Sequence, residues 1–186
     1  QGAWPEEILA VTFTNKAAKE MRERLSVLVE QQNSRMFMPW MGTFHGICVR
    51  LLRIEGQAIG IPSNFVIYDE DDRQGLIKQV MKQLSIGDKE LKARTVSSII
   101  SNAKNELVDP ETFAATAQFP QQRTIATIYG EYETARRAAG ALDFDDLLIE
   151  AVRLLREQKE VRDKWRTKFR YILIDEYQDT NAAQYT

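Results

Sequence analysis

Two adjacent carboxylates close the most chemically suggestive stretch of the chain. Residues 172–174 are Ile-Leu-Ile, and Asp175 and Glu176 follow directly. If the aliphatic run is a strand of an open α/β sheet, its C-terminal end is where ligands gather. One carboxylate of such a pair can hold Mg²⁺, a hard cation that takes oxygen ligands and keeps much of its water shell. The other can orient and deprotonate an attacking water. Acids also end strands simply because they are well solvated, and the pair alone leaves both readings open. Gln178 and Asp179 lie just beyond it.

A second group sits near the other end. Phe13, Thr14 and Asn15 fall between a short apolar run, residues 8–13, and a helical pattern. A helix N-terminus there offers backbone N–H groups to a phosphate, and an aromatic ring can stack on a base. The alternative is that Phe13 belongs to the core and Thr14 or Asn15 is an N-cap. His45 is the one histidine and Cys48 the one cysteine. That excludes an internal disulfide framework, a cysteine-based zinc site and a His-paired site, and it suits a reducing cytoplasm.

Of the 186 residues, 44% are apolar and 28% charged, a globular balance. Residues 8–11 form one of the longest aliphatic runs, too short to span a membrane. The net charge of −2 excludes a globally basic nucleic-acid-binding surface but not a local one. Arg162, Lys164, Arg166, Lys168 and Arg170 fall within nine residues, with Asp163 the only acid among them. A phosphate-facing strip and a solvated helix face are equally consistent with that pattern. Lys16, Lys19, Arg22 and Arg24 form a second basic group, in which Arg22 and Arg24 among Glu20 and Glu23 are read as a solvated face, and Arg50 with Arg53 a third.

The elements that would hold these groups can be read from periodicity. Residues 8–13, 171–175 and, more weakly, 41–44 read as strands, the first two buried on both faces of a parallel sheet. Between them the pattern is helical. Leu76, Ile77, Val80, Met81 and Leu84 follow the acidic start of residues 69–72. Val96, Ile99, Ile100, Ala103 and Leu107 follow Thr95, a candidate N-cap. Asp109-Pro110-Glu111 reads as N-cap, first position and first-turn acid of a short helix. Ile125, Ile128, Tyr129, Tyr132, Ala135 and Ala139 form another stripe, ended by Gly140. Asp143 then caps a helix expected to turn Phe144, Leu147, Leu148, Ala151 and Leu155 inward.

Four segments appear in order: residues 12–21 (TFTNKAAKEM), 42–45 (GTFH), 142–148 (LDFDDLL) and 172–181 (ILIDEYQDTN). Together they resemble superfamily 1A DNA helicases of the UvrD/PcrA/Rep type, over the whole chain. The resemblance implies a helix-rich α/β fold: part of a RecA-like P-loop NTPase domain, residues 1–46 and 169–186, carrying a large all-α insertion, residues 47–168. It implies an ATP- and Mg²⁺-dependent enzyme of the cytoplasm. Such an enzyme moves 3′-to-5′ on single-stranded DNA and opens duplex at single-strand/double-strand junctions in repair or replication, with no membrane and with repair or replication proteins as partners. Asp175 matches the Mg²⁺-associated aspartate, Glu176 the catalytic base and Gln178 the glutamine that links the γ-phosphate to the DNA side. Phe13, Thr14 and Asn15, and likewise Thr43, Phe44 and His45, match elements that contact single-stranded DNA. The acids of residues 143–146 are read first as a helix N-terminus.

The resemblance has a gap. No G-x-x-x-x-G-K-[ST] segment occurs among the 186 residues, so no loop here cradles the β- and γ-phosphates. A non-catalytic DNA-binding or docking module, and a subunit of a helicase–nuclease complex, stay open as alternatives. A metal-dependent nuclease using Asp175, Glu176 and Asp179 lacks a second convergent acidic group. The isolated 186 residues are therefore expected to hydrolyse no ATP, with or without DNA. Turnover that disappears in Glu176→Gln would contradict this.

Overall fold

A computed structural model gives the fold, describing residues 2–28, 38–87, 90–179 and 184. Thr180 and Asn181, the end of the fourth segment, lie outside the described residues. The chain forms two compact units, one built on Gln1–Ser63 with Glu150–Thr180, the other on Asn64–Ile149. No helix among the described residues is long and apolar enough to cross a membrane.

The first unit contains a parallel sheet of β1 (Ile8–Thr12), β2 (Met41–Thr43) and β5 (Tyr171–Ile174) in the order β2-β1-β5. Ala10 and Thr12 pair with Met41 and Thr43, while Ile8 and Val11 pair with Tyr171 and Ile174. Helix α1 (Asn15–Leu28) follows β1 and α2 (Phe44–Glu55) follows β2. Helix α1 buries Ala18 and sets Met21 and Leu25 against Ala10, Met38 and Met41. β1 matches the expectation of a strand buried on both faces, and β5 does not. Ile172 and Leu173 are each 58% exposed, because β5 is an edge strand among the described residues and is not fully covered. The exposed apolar face opens a groove of about 1080 Å³ lined by Ile8, Met21, Leu25, Met41 and Ile172.

The second unit is mostly helical. It holds α3 (Glu70–Gln83), α4 (Ala93–Asn105), α5 (Pro110–Thr116) and α6 (Pro120–Ala138). Ile77, Val80 and Met81 of α3, Val96 and Ile100 of α4, and Ile125, Ile128 and Tyr132 of α6 form one buried cluster. The caps follow local chemistry. Asp69 and Asp72 form a reciprocal capping box at the start of α3, with bonds of 2.9 and 3.2 Å. Asp109 accepts the Thr112 N–H at 2.7 Å ahead of Pro110. Gly140, at φ 62°, turns the chain in the left-handed region just after α6. Thr95 is not a cap: α4 begins two residues earlier, behind Lys92, because Leu91 and Ala93 are buried and draw the first turn into the core.

The region is also not all-α. β3 (Val66–Tyr68) and β4 (Ala141–Asp143) form a two-stranded parallel sheet, each strand too short to show a period. Helix α7 (Phe144–Glu157) then runs from the second unit into the first. Its inward residues are Leu147, Leu148, Ala151 and Leu154. Phe144 is 49% exposed and Leu155 only half-buried, which shifts the expected stripe by one position.

Helix α8 (Lys159–Lys168) groups with the first unit, as does α2. The reason is aromatic: Trp165 of α8 meets Trp40 edge-on at 4.6 Å between centroids, and Phe169 packs on both rings. The contact boundary thus falls at residues 63/64 and 149/150, inside the 47–168 segment.

In hydrogen exchange, amides of residues 77–81 and 96–100 should be protected far longer than those of 172 and 173, whose side chains stand in solvent. The reverse order would contradict the assignment of the stable core to the helical unit.

Candidate functional site

Three parallel strands must all end at the same edge, and the candidate residues are those that leave them. β1 runs out through Phe13 and Thr14 into α1, β2 passes directly into α2, which opens with Phe44 and His45, and β5 runs into Asp175 and Glu176. Thr12 lies opposite Thr43, Val11 lies opposite Ile174, and the Asp175 N–H donates to the Val11 carbonyl at 3.0 Å. With strands about 4.8 Å apart, the carboxylate pair and the start of α2 flank the β1 loop at roughly 5 Å on either side.

The Phe13 and Phe44 rings pack on one another, centroids 5.3 Å apart and planes tilted by 51°. Both are half-buried, so each keeps part of its surface open. Thr14 Oγ accepts the Ala17 N–H at 3.1 Å, and Thr43 Oγ accepts the Gly46 N–H at 3.2 Å. The cap reading of these residues and the ligand reading are compatible. A hydroxyl that accepts a backbone N–H still has its own hydrogen to donate, for instance to a phosphate oxygen. Asn15 is exposed at the first position of α1, and His45 is half-buried in the first turn of α2.

Asp175 and Glu176 are exposed, and Glu176 sits at φ 55°, in the left-handed region. A residue held there without being glycine costs about 1–3 kcal/mol, a strain that concentrates at ligand-handling sites. Gln178 is exposed in the short 3₁₀ turn Tyr177–Asp179. Two carboxylates at an open strand end, free to be supplemented by water, suit Mg²⁺ better than a closed protein cage would. Cys48 is no rival nucleophile, because desolvation pushes its thiol up to about 12.

The profile of the UvrD/REP helicase N-terminal domain matches residues 1–186. The chain belongs to this family. It is 45% identical over 183 residues to the ATP-dependent DNA helicase UvrD1 of Mycobacterium leprae, covering 96% of this chain and 23% of that protein. It is 40% identical over 183 residues to the ATP-dependent DNA helicase PcrA of Leuconostoc citreum, covering 98% and 24%. PcrA of Staphylococcus aureus is 44% identical over 182 residues, with the same coverage. The chain thus spans about a quarter of the length of these relatives.

The structure of this UvrD/REP-family chain also reveals a constellation that sequence reasoning missed. Among the described residues, Glu133, Asp143 and Asp146 are the group of acids close enough to share a cation. The cation is already there: Lys104 Nζ lies 2.6, 2.8 and 2.7 Å from the three carboxylates. Arg136 adds contacts of 2.6 Å to Glu133 and 2.9 Å to Asp146, and the Tyr132 hydroxyl donates to Asp143 at 2.7 Å. Asp143 and Asp146 also cap the start of α7 reciprocally at 2.9 and 2.8 Å, as the helix-start reading of these acids expected. The available signal was spacing. Lys104 lies four residues after Ile100 and Arg136 four after Tyr132, so both charges fall on apolar helix faces.

Burial raises Asp146, to about 7, against the pull of Lys104. Burial would raise Asp143 too, but the Lys104 ammonium outweighs it and holds that carboxyl below the ordinary range; Glu133 is lowered in the same way. The signs oppose. Between about pH 4, the unfolded aspartate value, and about 7, the folded chain holds a proton on Asp146 that the unfolded chain releases, so stability rises as pH falls through that window. Below it, the stability supplied by Asp143 and Glu133 is lost as they protonate. The melting temperature should therefore peak in mildly acidic buffer, and a steady climb from pH 5 to pH 9 would contradict the assignment. Lys104→Met, which strands buried carboxylates, should cost about 3–5 kcal/mol in chemical denaturation.

Proposed function

We propose that this chain is the motor-domain portion of an ATP-driven DNA helicase that moves 3′-to-5′ on single-stranded DNA and opens duplex at single-strand/double-strand junctions during repair or replication in the cytoplasm. Residues 1–46 and 169–186 are read as the RecA-like part and 47–168 as its insertion, whose autonomous core is the helical unit. The observation that carries the reading is the shared edge: two segments suited to phosphate and base contact leave β1, which neighbours the strand that delivers Asp175 and Glu176, and β2 on the other side of β1.

On this reading Asp175 would hold Mg²⁺, which when bound neutralises phosphate charge, and Glu176 takes the proton of the attacking water. Gln178, on the turn that follows, senses the terminal phosphate. Phe13 and Phe44 stack on bases, while Thr14, Asn15, Thr43 and His45 hold the sugar-phosphate backbone. Coupling has a short route. The Asp175 N–H is bonded to the carbonyl of Val11, two residues before Phe13, so a shift of the carboxylate strand is felt at the stacking loop through one ladder bond.

The test uses the intact protein that carries this chain. Phe13→Ala should weaken single-strand affinity by about 1–3 kcal/mol for each base contacted, read by anisotropy. Glu176→Gln should abolish ATP turnover while leaving that affinity in place. Unchanged affinity in Phe13→Ala returns the ring to a purely structural partnership with Phe44.

A further inference from the structure

The opposite edge of the same sheet, where β2 and β5 begin, carries a different surface. Trp40 precedes β2 and Phe169 ends α8 just before β5; with Trp165 they form the aromatic cluster described above. Cations cover it. The Arg50 guanidinium carbon lies 4.3 Å from the Trp40 ring centre, and Lys168 Nζ lies 5.3 Å from Trp40 and 5.0 Å from Trp165. Lys164 Nζ is 5.7 Å from Trp165. Both Arg50 and Lys168 stand over one indole, so no more than about 10 Å separates them.

Glu55 is the acid at this cluster, and it is committed: it takes Lys164 at 2.6 Å and the Trp165 indole N–H at 3.2 Å. Arg50 donates to the Pro39 carbonyl. Among the described ion pairs, neither Arg50 nor Lys168 has a carboxylate. Arg166 shares the helix, and at the flank Glu7 is engaged by Arg170 at 3.8 Å. Ring faces hold like charges close together here, with Arg50 exposed and Lys168 half-exposed and neither paired with a carboxylate, which favours an anion with several negative oxygens.

We propose that this surface binds the phosphodiester backbone of double-stranded DNA, as a second DNA contact remote from the strand-exit edge. The proposal rests on the reading of the chain as a DNA motor. Duplex rather than single strand follows from the aromatics. Trp40 and Trp165 are only 3% and 6% exposed, so the surface offers charge and no ring for an unpaired base, whereas a single-strand site needs both. Phe13 and Phe44, half-open at the other edge, supply what is missing here.

The experiment uses the intact protein with three probes: a blunt duplex, an oligo-dT single strand and poly-glutamate. Lysine acylation read by mass spectrometry should show Lys164 and Lys168 protected by the duplex. In titrations across salt concentrations, Arg50→Gln/Lys168→Gln should flatten the log–log salt slope for duplex by about 2, and Lys168→Arg should restore its share. Phe13→Ala should lower single-strand affinity and leave the duplex slope alone. An unchanged slope in a double variant that melts normally overturns the proposal, as does protection by poly-glutamate alone, which would point to an acidic protein segment. If the double variant fails to fold, the footprint on the unmodified protein decides. Single-strand binding through Phe13 without any duplex effect removes only this proposal; failure to bind DNA in every form removes the motor reading with it.

Discussion

The ladder of β1 holds the candidate site together. Its backbone bonds to β2 on one side and β5 on the other, both in parallel register, and parallel strands necessarily deliver their following residues to one edge. From this constraint the rest follows. Phe13, Phe44 and Asp175 come from segments separated by up to 162 positions in the chain, yet each is the first or second residue past a strand that touches β1 or is β1. Helices α1 and α2 then begin at that edge, and their caps, Thr14 and Thr43, are placed there for the same reason. Burial of Ala10, Val11 and Thr12 makes the central strand rigid, which is what loops that must hold a ligand require of their scaffold.

The helical unit solves a different problem. Five ionisable groups meet in its interior: Lys104, Glu133, Arg136, Asp143 and Asp146. Desolvating charges is expensive, and replacing such a network by apolar residues is often neutral or stabilising. What the charges supply is geometry. Lys104 comes from α4, Glu133 and Arg136 from α6, and the two aspartates from the junction of β4 with α7, so one ammonium ties three segments in a single arrangement. The same aspartates cap α7, which is why that helix starts where β4 stops. A family motif rich in acids is thereby accounted for by a lysine that completes it, with no cation left to recruit.

How much of this could be read from residues alone depends on whether the signal is local. The cap of α3 at Asp69, the Asp109-Pro110 start of α5 and the left-handed Gly140 are local chemistry, and each stands where its spacing indicates. The carboxylate pair at the end of an aliphatic run was legible for the same reason. What failed is set by neighbours distant in the chain. The run at residues 171–174 looks like a doubly buried strand, but burial depends on what covers β5. Thr95 has the right chemistry for a cap, yet Leu91 and Ala93 are drawn into the core and start the helix earlier. β3 and β4 have three residues each, below the length at which a period of two can be seen. Lys104 and Arg136 were visible as charges on apolar faces, but nothing local names their partners.

The chain departs from local preference at Ser85 and Leu107 of the helical unit, and twice more at the strand-exit edge. Glu176 occupies the left-handed region without being glycine. Thr12, the last residue of β1, is fully buried, and its hydroxyl has no hydrogen-bond partner among the described residues. A buried orphan hydroxyl costs about 1–3 kcal/mol, comparable to the strain at Glu176. Neither feature helps the fold, and the helical unit shows that this chain can satisfy a far denser polar cluster. Unfavourable choices that survive next to Asp175 and Phe13 are intelligible if that edge is shaped for its ligands before it is shaped for stability. The compensation lies in the same unit, in the ladder on both sides of β1 and the aromatic packing of Trp40, Trp165 and Phe169 at the far end of the strands.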